Sequence, residues 1–326
     1  MISGAIADGH ADSLMWNRDL TARHRRGHVD FPRLREAGVR IQCFTVVTRG
    51  WPAVDGFGAF AAVRGWPRAA RSGPWARCLF QLDRMRELCE RSAGQVSIAD
   101  GAARLGENLA LGRLSAILGV EGAQALEGRP ERVAELHARG VRFMGLTHLS
   151  NNELGGSSSP LMGDRPLTPL GHEVLEAMVA ARMPVDLAHA SHRTLRDVAA
   201  HRGARLLVSH TGVSGAWRSW RNLDDAELRL VAERGGVVGI IFATLYLGGR
   251  DIEDVVRHVE HALDVAGEDA VAFGSDFDGM VPLPRGLRDA TDVPKVVQSL
   301  ARRRPERVAE KVAFGNWHRF FRETLG

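Results

Sequence analysis

The stretch Ala5-Ile6-Ala7-Asp8-Gly9-His10-Ala11-Asp12 is a short apolar run that breaks off in a histidine set between acids. The same grammar recurs along the chain. Further apolar or β-branched runs begin near Ile41, Ala116, Phe143, Val185, Leu206, Val237 and Val271, which makes eight in all. Amphipathic stretches lie between them, among them 130–138, 170–182, 194–201, 226–234 and 252–266. Near-continuous apolar strands alternating with helical patterns predict a parallel sheet buried on both faces. Eight such units predict an α/β fold closed as a (β/α)8 barrel of the TIM type rather than an open sheet.

The 326 residues fit one such barrel of typically ~250 residues plus insertions, so residues 1–326 are read as a single domain. Two insertions interrupt the rhythm at about 48–74 and 149–169, the first rich in Gly, Pro and Trp, the second carrying Gly155-Gly156-Ser157-Ser158-Ser159. They follow the second and fourth strands and would emerge at the C-terminal mouth, where substrate loops belong.

Composition excludes several classes of function. Hydrophobic residues at 44% and charged residues at 25% describe an ordinary globular chain. The net charge of +4 is carried by arginine, the lysines being Lys295 and Lys311. Its basic runs, 23–26 and 302–304, are short and far apart, which is no nucleic-acid footprint. No apolar run approaches the ~18 residues of a membrane span. Cys43, Cys78 and Cys89 form no CxxC pair and no closed disulfide set, and the first residues lack a signal-peptide pattern, so the cytoplasm is the expected location.

Function is carried by what stands where strands end. The first closes in His10-Ala11-Asp12, the third in Glu121, the fourth in His148, the fifth in His189, the sixth in His210 and the eighth in Asp276-Phe277-Asp278. In a barrel, groups from several strand ends converge on one face. An HxD pair points both side chains to one side of an extended backbone. Taken singly, such a pair is more often a cap, and a lone histidine more often a bonded core residue. Together they predict a metal site at the C-terminal face, because imidazoles with carboxylates suit zinc and leave positions open for water. A two-metal site needs an anionic bridge. Neither lysine lies near a strand end, which leaves Glu121. Paired metals at ~3.5–4 Å point to hydrolysis.

Read in order, these motifs resemble the membrane dipeptidase (renal dipeptidase, peptidase M19) family. The resemblance also takes in Gly27-His28-Val29-Asp30-Phe31-Pro32-Arg33-Leu34-Arg35, Leu167-Thr168-Pro169-Leu170-Gly171, Asp186-Leu187-Ala188-His189-Ala190-Ser191, Arg221-Asn222-Leu223-Asp224-Asp225, Gly274-Ser275-Asp276-Phe277-Asp278-Gly279 and Phe314-Gly315-Asn316-Trp317. It implies that His10 and Asp12 bind one zinc, His189 and His210 the other, and that Glu121 bridges them, two Zn2+ per chain. It implies that Asp276 is the catalytic aspartate acting on a metal-bridging water, that His148 contacts the oxygen of the tetrahedral intermediate, and that Arg221 grips the substrate carboxylate. Nothing in the residues alone singles out Arg221. The activity implied is hydrolysis of small dipeptides, including those with a D-residue at the C-terminal position. The partner implied is a small-molecule substrate, composition arguing against nucleic acid and membrane, and a homodimer is allowed without being required.

The chain departs from the family pattern at Ala11, where Asn is frequent, and in the segment Thr211-Gly212-Val213-Ser214-Gly215-Ala216-Trp217. These differences spare the metal ligands and bear on the side-chain pockets. Two other readings therefore stand beside the dipeptidase: the same dizinc site hydrolysing another small amide, lactam or lactone, and a metal-binding scaffold without catalysis.

Overall fold

Why the strands close into a ring is visible in their two faces. The computed structural model describes residues 4–49 and 56–326, so Trp51 of the first insertion and the first three residues lie outside the described residues. Nine parallel strands form one sheet: β1 (Ile6–Asp8), β2 (Val39–Val47), β3 (Val96–Ile98), β4 (Leu114–Glu121), β5 (Val141–Gly145), β6 (Val185–Asp186), β7 (Leu206–Thr211), β8 (Val237–Ile240) and β9 (Val271–Phe273). Their order is β2-β1-β9-β8-β7-β6-β5-β4, and β2 pairs with β4, which closes an eight-stranded ring. All eight expected strands are present. The ninth, β3, was not expected. It pairs with Leu114–Ala116 on the edge of β4 that β5 takes over from Leu118.

Alternate residues of each strand belong to different cores. Leu114, Ala116, Leu118 and Val120 of β4 face outward into the main core beneath the helices. Ile117 faces inward with Ala7, Ile41, Cys43, Leu207 and Ala272. The outer layer is made by helices such as Pro74–Arg91, Pro169–Ala180, His192–Ala200, Asp225–Glu233 and Ile252–Ala266. Several begin at a side-chain cap. Asp30 accepts the N–H of Arg33, Thr168 that of Gly171 and Ser191 that of Thr194, while Asp224 and Glu227 form a capping box. The segments around Asp30, Thr168 and Asp224 are therefore helix starts.

The floor of the barrel is plugged by the closing helix, Asn316–Thr324. Trp317, Phe320 and Phe321 fill its N-terminal end, and the indole N–H of Trp317 donates to the carbonyl of Phe273 at 2.8 Å. Higher up, the interior is emptied by glycine. A Cβ at Gly239 or Gly274 would stand 2.2 or 1.9 Å from the carbonyl oxygen of Ser209. Without side chains there, β7 approaches β8 and β9 closely, and His210 is carried towards the axis.

The 48–74 insertion is not structureless. It folds into a helix, Phe57–Val63, and a short turn, Ala69–Arg71. The 149–169 insertion lacks regular elements. It pairs instead with the end of β6 through a bridge between Ser157 and Ala190. No helix among the described residues is long and apolar enough to cross a membrane.

Two outcomes test this packing. Trp317→Ala should cost about 3–5 kcal/mol in urea unfolding, and Trp317→Phe only about 1–2, because it keeps a ring and loses the hydrogen bond. His258 is buried and neutral: its Nδ1 accepts the Val213 N–H at 3.0 Å and its Nε2 donates to the Leu247 carbonyl at 3.2 Å. Burial lowers its pKa to about 4. Its stabilisation is complete above the ordinary value of 6.5 and is lost as pH falls towards 4, a loss of roughly 3 kcal/mol. Unfolding free energies at pH 7 and 4 should therefore differ less in His258→Gln than in the native chain.

Candidate metal centre

At the C-terminal mouth of the ring, side chains from six strand ends meet around one carboxylate. Glu121, at the end of β4, is 3% exposed. Its Oε1 lies 2.9 Å from His189 Nε2, 3.5 Å from His210 Nε2 and 3.6 Å from His10 Nε2. Its Oε2 is 3.4 Å from His148 Nε2 and has no hydrogen-bond partner. Asp12 Oδ1 lies 3.3 Å from His10 Nε2, and Asp276 completes a group of ligand atoms with these two. Every metal ligand expected from the sequence is thus in one cluster, together with Asp276 and His148.

The surroundings hold these groups in one orientation. Ser209 Oγ lies 3.1 Å from His10 Nδ1 and 2.9 Å from His210 Nδ1, so both rings turn Nε2 towards Glu121. Asp186 Oδ1 accepts the N–H groups of Ala188 and Ser209, joining the ends of β6 and β7 just below His189 and His210. Thr45, on β2, donates to Asp12 Oδ1 at 2.6 Å. His148 Nδ1 donates to the Arg49 carbonyl at 3.1 Å, which aims its Nε2 at Glu121. From the second insertion, Ser157 Oγ donates to the His148 carbonyl and the Ser158 N–H to that of His189. That insertion braces the two histidines.

His189 and Asp276 both hold φ near +60°, at 63° and 61°. Left-handed backbone at a non-glycine residue costs about 1–3 kcal/mol and persists where the surroundings over-determine it. Beyond Asp276 the chain is anchored at Asp278, which accepts from Ser13 Oγ at 2.6 Å, from the His28 N–H at 2.8 Å and from Arg18.

The charges in this cluster do not balance on their own. Burial drives the pKa of His189 and of His210 well below the ordinary value, helped by Arg221 and the other histidines. Both rings are therefore neutral, yet their Nε2 atoms stand 3.1 Å apart, each turned to Glu121 Oε1. At His10 burial alone would lower the pKa, but Glu121 and Asp12 raise it to about 10. Asp276 is pushed well above the usual carboxylate range by burial and by Asp12 and Glu121. Electron pairs converge here without enough protons between them. A divalent cation answers this arrangement, and the N/O donor set is one that zinc accepts.

The cluster forms one end of a cavity of about 450 Å³, a volume suited to a small ligand. Arg221, in the loop after β7, is 3% exposed and reaches this cavity. One of its terminal nitrogens donates to the His210 carbonyl at 2.8 Å, and its Nε is buried without a partner. Burial lowers its pKa. The chain around it is fixed by Asn222, whose amide donates to the carbonyls of Trp217 and Tyr246. Ser209, Asp186, Thr45 and Tyr246 escape a sequence reading as site residues. Only the two polar residues flanking the motif histidines, Ser209 and Asp186, carried any signal.

The chain is similar to known metallopeptidases along nearly its whole length. A crystal structure of a metallopeptidase from Rhodobacter sphaeroides, liganded with a phosphinate mimic of the dipeptide L-Ala-D-Ala, superposes with a TM-score of 0.86 at 27% identity, covering 98% of this chain and 99% of that one. A dipeptidase structure assigned to metallopeptidase family M19 gives 0.83 at 26% identity over 99% of both chains. The dipeptidase aclJ of Aspergillus oryzae is 28% identical over 318 residues, which is 90% of this chain and 72% of that protein. The family described as membrane dipeptidase, peptidase family M19, matches residues 2–325, and the chain belongs to that family of metallohydrolases.

Proposed function

We propose that the chain is a two-zinc dipeptidase that hydrolyses small dipeptides, including those whose C-terminal residue has the D configuration. The observation that carries this reading is the pairing, in one cavity, of a carboxylate–imidazole cluster with a buried guanidinium whose Nε is free. His10 and Asp12 would hold one ion and His189 and His210 the other, with Glu121 shared between them. Two zinc ions in that place supply a nucleophilic water at neutral pH and an electrophile for the scissile carbonyl.

The chain's own groups do the rest. Arg221 offers a planar fork to the substrate's terminal carboxylate and so sets the distance from that end to the scissile bond. Asp276, grouped with His10 and Asp12 on the cavity wall, takes a proton from the attacking water and returns it to the leaving amine. His148, held at Nδ1 by the Arg49 carbonyl, presents Nε2 to the carbonyl oxygen, where charge develops only in the transition state. Tolerance of a D-residue draws support from the relative solved with a mimic of L-Ala-D-Ala. Cys43, Cys78 and Cys89 are unpaired, which suits the reducing cytoplasm as the place of action.

Metal analysis of the purified protein should find close to two zinc per chain, and chelation should lower Tm by several degrees, since an ion bound only by the folded state stabilises it. Asp276→Asn should keep its zinc and lose about 10²–10⁴-fold in kcat against a panel of L,L and L,D dipeptides. Failure to bind metal on reconstitution would overturn the reading. Arg221→Lys should raise KM for dipeptides about tenfold or more, yet leave dipeptide amides, which carry no carboxylate, little changed. Equal losses on both would remove Arg221 from carboxylate binding.

A further inference from the structure

The insertion after β2 carries an apolar core of its own. Met15, Val47, Phe57, Ala61, Trp66 and Ala70 pack together apart from the main core. Phe60 sits at its edge, with ring centroids 5.4 Å from Phe57 and 5.6 Å from Trp16. The Arg64 guanidinium lies over both Trp16 and Phe60. The Trp16 indole donates to the Asp278 carbonyl at 2.6 Å, which ties this unit to the loop that presents Asp276. The wall is therefore held by its own packing and by that hydrogen bond.

One face of the unit, made by Met15, Val47, Phe57 and Phe60, lines the cavity beside the metal cluster. Its position follows from the ring. In the order β2-β1-β9-β8-β7-β6-β5-β4, β2 stands diametrically opposite β7, and Arg221 follows β7. A dipeptide held by its carboxylate at Arg221 must cross the metals and lay its first residue against the β2 side. Among the described residues, the charged groups on the cavity wall are those of the cluster and Arg221. The aromatic face adds none to that wall, because Arg64, which stacks on Phe60, is not among the residues that line the cavity.

We propose that this face is the subsite for the side chain of the substrate's N-terminal residue, and that it selects bulky, uncharged, apolar side chains. The inference rests on the dipeptidase reading and on Arg221 as carboxylate anchor. A charged side chain there would shed its water without gaining a partner. A methyl group would leave most of the aromatic surface uncovered.

The test is binding to the zinc-loaded protein of phosphinate dipeptide mimics with a fixed C-terminal alanine. The N-terminal side chain is varied through hydrogen, methyl, isobutyl, benzyl, carboxymethyl and aminobutyl. Isobutyl and benzyl should bind about ten- to fiftyfold tighter than methyl, and the two charged groups no better than hydrogen. Phe60→Ala should erase most of that gain with little change for methyl, Phe60→Leu should restore part of it, and Phe60→Lys should favour carboxymethyl. A flat series, a preference for a charged group, no binding at all, or Phe60 variants that weaken every mimic by the same factor would overturn the proposal. Mimics that bind in the expected order while no dipeptide is cleaved would instead overturn the dipeptidase reading and leave the subsite standing.

Discussion

The structure depends on keeping one carboxylate, Glu121, buried at the barrel axis among four imidazoles. Such a charge is expensive unless it is paired, and here the nearest partners are rings that burial keeps largely neutral. Everything near it serves to hold mutually repelling electron pairs in a small space. Gly239 and Gly274 make room, Ser209 turns two rings the same way, and Asp186 locks the ends of β6 and β7. The left-handed backbone at His189 and Asp276 belongs to the same account. A divalent cation placed among these groups would meet the electron pairs that the neutral rings of His189 and His210 turn towards Glu121.

Much of this was legible in the sequence for a simple reason. A parallel strand covered on both faces must be apolar along its length, so a His, Asp or Glu at its end stands out against a uniform background. His10, Glu121, His148, His189, His210 and Asp276 were found that way. β3, Val96-Ser97-Ile98, was missed because it is no unit of the ring: it pairs with the first residues of β4 outside the eight-strand closure. Thr45 and Ser209 lie within strands, where one hydroxyl reads as tolerated polarity. Arg221 is one arginine among many, and its place depends on Asn222 and on the path of the loop after β7.

The motifs that carry the family resemblance divide into two physical kinds. His10, Asp12, Glu121, His189 and His210 bring electron pairs to a common point. Asp30, Thr168, Ser191 and Asp224 satisfy the first N–H groups of helices whose packing fixes where the strands end. The second kind does no chemistry, yet side-chain positions good to a fraction of an ångström require it, since the first kind comes from four different strand ends. Asp278 bridges the two kinds: it binds no part of the cluster, but through Ser13, Arg18 and His28 it joins the start of the chain to the loop that presents Asp276.

The two insertions show the same division outside the barrel. Both leave the mouth as loops, and composition suggested a similar role for each. The second is polar and glycine-rich, so it cannot build a core, and it spends a serine hydroxyl on the His148 carbonyl and a backbone N–H on that of His189. The first holds Phe57, Phe60 and Trp66, enough apolar surface to fold on its own against Met15 and Val47. A loop able to bury its own side chains presents a fixed surface to the cavity, whereas a loop that cannot must borrow order from the strand ends. The first insertion touches the cluster through the Arg49 carbonyl on His148 Nδ1, whereas the hydrogen bonds of the second end on the backbone of two of the histidines.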